Sequence, residues 1–198
     1  VRDILKEHGV KSIAITYTNN DYGKGLAEAI QRNWEESGGT VTLSAAHEDG
    51  KADYSAEVGA LASAGGEVLV VAGYIDQGGS GIVRAALDTG AFDKFYFPDG
   101  MVGEKLNTNF GAELNGSMGD YPGTDSPGAA KFQEMASAAG FDGTSAFAPE
   151  SYDAAALIML AMEAARSPLS GDFKDKVMDV ANAPGEKIYP GELAKALQ

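Results

Sequence analysis

The chain has 198 residues, 15 Lys and Arg against 29 Asp and Glu for a net charge of −14, with 44% hydrophobic and 22% charged residues, a composition of folded globular chains whose length falls between one domain and two. The acidic balance argues against binding carried by Lys and Arg on nucleic-acid phosphates and disfavours docking on anionic membrane surfaces. The absence of Cys excludes disulfides, thiolate zinc sites and cysteine nucleophiles.

Val1 to His8 reads as the end of an amphipathic helix closed by Gly9. Ser12 to Tyr17 alternates Ile13 and Ile15 with small or polar residues, the pattern of a strand. Asn19, Asn20 and Asp21 supply the side-chain oxygens that start a helix. Leu26, Ile30 and Trp34 then recur every four positions through Tyr22 to Ser37, and Gly38-Gly39 end that helix. The unit repeats. Thr40 to Ala45 is a strand, Asp53 caps a helix with Tyr54, Val58 and Leu61 on its buried stripe, and Gly65-Gly66 stop it.

Val68 to Val71 is an uninterrupted apolar run, as in a parallel strand covered on both faces. Gly78 to Thr89 predicts a helix, and Lys94 to Pro98 a further strand. Alternating strands and helices with short loops predict an α/β fold built on a doubly wound parallel sheet. Beyond Met118 the pattern changes. Asp120 to Gly128 is dense in turn residues, and helices follow at Ala129–Ala139, Ser151–Arg166, Phe173–Asn182 and Gly191–Leu197. Only Lys187 to Tyr189 adds a strand pattern there. The longest nearly apolar run, Ala154 to Met162, is under half of the roughly 20 residues that span a bilayer, so no membrane insertion is expected.

Open parallel sheets bind ligands beyond the carboxyl ends of their strands. Those positions hold Tyr22 after the first strand, Tyr74, Asp76 and Gln77 after the third, and Asp99 after the fourth. Two aromatic rings and a carboxylate suit a small ligand bearing an ammonium group, through cation–π attraction and a charge-assisted hydrogen bond. Local packing of the two rings, with Asp99 as a turn residue before Gly100, is the alternative. Catalysis has little support: His8 and His47 are the two histidines, and no serine elbow, Walker loop or full dinucleotide fingerprint is present. His47-Glu48-Asp49 with Asp53 matches no metal cage and reads as a solvated loop.

Thr18 to Gly25, Asp53-Tyr54-Ser55, Gly73-Tyr74, Pro98-Asp99-Gly100, Glu150 to Ala154 and Ala183 to Lys187 together resemble the branched-chain amino-acid-binding proteins. These are periplasmic substrate-binding components of ATP-driven importers, with two type I α/β lobes joined by three crossovers. The resemblance implies that residues 1–120 form a nearly complete second lobe. It implies that 121–198 form a crossover and helices of an incomplete first lobe, so that the chain is a fragment. It further implies that Tyr22 and Tyr74 line the cleft and that Asp99 receives the ligand's α-ammonium, where relatives commonly carry the longer Glu. Asp76 and Gln77 are accessory candidates. The expected partners are an amino-acid-like small molecule and a membrane permease, with no cofactor, no metal and no catalysis. A sensor domain of the same fold, or a flavodoxin-like enzyme, are the competing readings.

Overall fold

The computed structural model describes residues 1–123, 126–182 and 184–196, which divide into two compact units, Val1–Tyr121 and Pro122–Gln198. The first unit runs α1 (Arg2–Glu7), β1 (Ser12–Thr18), α2 (Asp21–Glu36), β2 (Thr40–His47), α3 (Ser55–Ala64), β3 (Val68–Ala72), α4 (Gly78–Thr89) and β4 (Phe95–Phe97). A 3₁₀ turn (Asp99–Met101), α5 (Glu104–Phe110), a second 3₁₀ turn (Gly111–Leu114) and β5 (Met118–Gly119) complete it. The strands form one parallel sheet in the order β2-β1-β3-β4-β5. The α/β class and the parallel sheet predicted from the alternating pattern are therefore present.

Period-two alternation divides the strand residues between two cores. Ile13, Ile15, Val68, Val70 and Tyr96 pack with Leu5, Ala27, Ile30 and Trp34 from α1 and α2 on one face. Ala14, Leu69, Val71, Phe95 and Phe97 pack with Tyr54, Val58, Leu61, Ile82, Val83 and Phe110 on the other. All five residues of β3 are buried, which explains its unbroken apolar run. Helix boundaries follow local chemistry. Asn20 caps α2 by accepting from the Gly23 N–H at 2.9 Å, whereas Asp53, expected to cap α3, precedes the N-cap residue Tyr54 and accepts from the Ser55 N–H at 3.0 Å. Gly38 has φ 87° and Gly90 has φ 66°, the left-handed conformation that glycine adopts without steric cost.

The second unit contains α6 (Ala129–Ala138), α7 (Ala148–Ala165), α8 (Ser170–Phe173), α9 (Val177–Ala181) and α10 (Leu193–Ala196). Phe132, Ala136 and Ala161 are its buried apolar residues among those described, whereas Ile158, Met159, Leu169 and Met178 are exposed. Phe132 packs beside Tyr152 and Phe141. Two expectations are corrected here. Phe173–Asn182 is not one helix, because a 3₁₀ turn at Lys174–Lys176 separates α8 from α9. Lys187–Tyr189 is not a strand, and among the described residues no strand pairs with it. The expectations for Thr124 and Asp125 in the turn-rich stretch, Ala183 in the resembling segment and Leu197 in the last helix lie outside the described residues.

Candidate functional site

The chain leaves β1 toward β2 on one side and later leaves β3 toward β4 on the other. Loops that diverge in this way open a crevice at the carboxyl ends of adjacent strands. Tyr22, in the first turn of α2, and Tyr74, just beyond β3, stand on either side of that divergence. Their rings stack with centroids 5.0 Å apart at 26°. Asp99 opens the 3₁₀ turn after β4, and the Tyr22 hydroxyl donates to its Oδ1 at 2.7 Å. The same hydroxyl accepts from the Gly100 N–H at 3.4 Å. A Cβ on Gly100 would lie 2.4 Å from the Gly73 carbonyl oxygen and 3.0 Å from the Tyr22 hydroxyl. The close approach of the three loops therefore depends on that glycine.

The structure thus brings together three of the five candidate residues. Burial and the hydrogen bond to Asp99 push the Tyr22 phenol well above its ordinary range. Asp99 Oδ2 has no hydrogen-bond partner among the described residues. Asp76 and Gln77 do not join this group. Both are exposed, and Asp76 pairs with Lys105 at 2.6 Å. Gln77 precedes α4 without capping it through its side chain.

The reading of His47-Glu48-Asp49 with Asp53 as a solvated loop holds for Glu48 and Asp53, which are exposed, and is overturned for His47 and the partly buried Asp49. His47 is 1% exposed, and its Nδ1 lies 2.9 Å from Thr16 Oγ1. Its Nε2 is buried without a partner among the described residues. The ring meets Tyr54 edge-on at 6.2 Å, and burial holds its pKa below the ordinary value of 6.5. Asp49 accepts from the Thr18 hydroxyl through Oδ2 and from the Gly78 N–H at 2.9 Å through Oδ1. These contacts join residues 29 and 31 positions apart, and no local spacing rule reaches so far. Among the described residues, no cluster of three or more His, Cys, Asp or Glu could hold a metal ion. No helix among them is long and apolar enough to cross a membrane.

Residues 1–183 match the sequence profile of the periplasmic binding proteins. The Leu/Ile/Val-binding protein homolog 2 of Brucella abortus is 30% identical over 180 residues, which cover 88% of this chain and 45% of that relative. The leucine-binding protein LivK of Thermotoga maritima superposes with a TM-score of 0.74 at 23% identity, over 87% of this chain and 50% of that one. The branched-chain amino acid transporter substrate-binding protein LivJ of Streptococcus pneumoniae, solved with isoleucine, gives 0.73 at 22% identity over 89% and 51%. The chain spans about half the length of these relatives. Its parallel sheet, its profile match and its kinship with Leu/Ile/Val-binding proteins agree: the chain belongs to the periplasmic binding protein family and has the type I fold.

Proposed function

We propose that the whole protein is a periplasmic solute-binding component that captures an amino acid, of the branched-chain type or a close relative, and delivers it to the membrane permease of an ATP-driven importer. The observation that supports this reading is the rim at the divergence of β1 and β3. Two stacked tyrosines and one carboxylate oxygen without a partner among the described residues form a surface for an ammonium group attached to an apolar body. The kinship with Leu/Ile/Val-binding proteins supports the amino-acid class independently. No bond is made or broken in this role. The ligand contacts two lobes in the closed form and one in the open form, and so shifts the population toward closure. The rim described here supplies one side of such a cleft, and this chain by itself is expected to bind weakly or not at all.

Calorimetry on the full-length protein with leucine, isoleucine, valine and isocaproate (leucine without its amine) tests the assignment. Binding of at least one amino acid and rejection of isocaproate is the expected result. Equal affinity for isocaproate and leucine, or no binding of any of the four, would remove it.

A further inference from the structure

Behind the tyrosine rim is a carboxylate for which that reading has no use. Asp49 lies in the loop after β2, two residues beyond the buried His47, and neither residue belongs to the rim. Its two oxygens serve different segments. Oδ2 accepts from the Thr18 hydroxyl at the end of β1, four residues before Tyr22. Oδ1 accepts from the Gly78 N–H at the start of α4, four residues after Tyr74.

Both ties continue toward the rings through the backbone. On one side the Asn20 N–H donates to the Thr18 carbonyl at 2.8 Å, and Asn20 caps the helix turn that carries Tyr22. On the other, the N–H groups of Gln77 and Gly79 donate to the Tyr74 carbonyl at 3.1 and 3.2 Å. The loop holding Asp49 is itself fixed. The Tyr54 hydroxyl, on a residue 4% exposed, donates to the Glu48 carbonyl at 3.0 Å and accepts from the Lys51 N–H at 3.2 Å. A Cβ on Gly78 would lie 2.8 Å from Asp49 Oδ1, 2.8 Å from His47 Cδ2 and 2.9 Å from the Tyr54 hydroxyl. Glycine at this position is therefore what lets the carboxylate reach the helix start. His47 Nε2 is 4.0 Å from Asp49 Oδ1, too far to compete as a hydrogen-bond donor.

We propose that Asp49 is a positioning residue for the rim. One carboxylate ties the end of β1 to the start of α4 and so sets the separation of the Tyr22 and Tyr74 rings. Its importance for binding rests on the amino-acid-binding reading, whereas its effect on ring geometry does not.

The test has two arms. In the first, aromatic NMR of the ligand-free 198-residue chain follows the cross-ring NOE of Tyr22 and Tyr74, assigned with Tyr22→Phe and Tyr74→Phe. Asp49→Ala is expected to abolish the NOE while the Tyr96 ring, bonded to Asp120 at 2.7 Å, keeps its signals. Asp49→Asn retains an acceptor for Gly78 and a polar group for Thr18, and is expected to restore the NOE. Thr18→Val removes one tie and is expected to weaken it, which decides the question should Asp49→Ala fail to fold. A dispersed spectrum with an undiminished NOE in Asp49→Ala or Thr18→Val would overturn the proposal, as would a loss in Asp49→Asn as complete as in Asp49→Ala. In the second arm, calorimetry of the full-length protein with leucine should show affinity falling about tenfold in Asp49→Ala, the share of one charge-assisted hydrogen bond, with most of it recovered in Asp49→Asn. Absence of leucine, isoleucine and valine binding in the unmutated protein would defeat the functional reading and leave the NOE arm to decide Asp49.

Discussion

The Tyr22 hydroxyl donates to Asp99 Oδ1 at 2.7 Å across 77 residues of chain, joining the first turn of α2 to the turn after β4. One carboxylate oxygen is thereby engaged within the protein, and the other has no partner among the described residues. In the full-length protein, Asp99→Ala should weaken amino-acid binding by about 10- to 100-fold, since hydrogen bonds to charged groups contribute about 1.5–3 kcal/mol. Tyr22→Phe keeps the ring and the stack, and should cost about tenfold or less. Calorimetry on both variants orders the two contributions. A larger loss in Tyr22→Phe than in Asp99→Ala would contradict the ammonium assignment.

Alkaline titration should set two tyrosines apart. Of the eight tyrosines, Tyr22 and Tyr96 have phenols pushed upward, first by burial and then by hydrogen bonds to Asp99 and Asp120. Both pKa values are raised on folding, so the stability they contribute is complete below the unfolded value near 10 and is lost as pH rises above it. Tyrosinate absorbance against pH should show a late fraction coupled to unfolding. Asp120→Asn should bring the Tyr96 part of that fraction to lower pH.

His47 contributes to the pH dependence on the acid side. Burial depresses its pKa, and this outweighs the nearby Asp49, Glu57 and Glu48 carboxylates, which act in the opposite direction. With the folded value below the unfolded one, stability is full above the ordinary 6.5 and is lost as pH falls from there toward the folded value. The slope is at most about 1.4 kcal/mol per pH unit. Urea midpoints between pH 7.5 and 5 should fall accordingly. His47→Gln should flatten that dependence, whatever it does to the midpoint at neutral pH.

Hydrogen exchange should separate the two units. The sheet of the first unit carries fully buried residues on β1 and β3, whereas α7 buries Ala161 and exposes Ile158 and Met159. Sparse burial lowers the free energy of local opening. Amides of α7 in this chain should exchange on the order of a hundredfold faster than those of β3, a ratio that mass-spectrometric exchange can read directly. Equal protection in α7 and β3 would contradict it.

The elements of the first unit were legible where a local rule applies. Helix α4 runs from Gly78 to Thr89, as its apolar stripe and terminal Gly90 predict, and the apolar run at Val68 is the fully buried β3. The convergence of Tyr22, Tyr74 and Asp99 on one rim could be read from strand-end positions, because a parallel sheet aligns the ends of its strands. Short elements escaped. Helix α5 and strand β5 carry too few residues for a period to show.

What the sequence determined by itself was the alternation of strand and helix, and with it the sheet and the edge on which a site could lie. These follow from contacts between residues two to four positions apart, which the order of side chains dictates directly. Tertiary structure alone decided which polar groups met. Asp76 was drawn away to Lys105, Asp99 was joined by the Tyr22 hydroxyl, and His47 and one side of Asp49, which read as solvated, were folded inward while Glu48 between them stayed exposed. Such partners are chosen by packing and desolvation across the sheet, and a carboxylate's spacing along the chain carries no record of the hydroxyl or N–H that will face it.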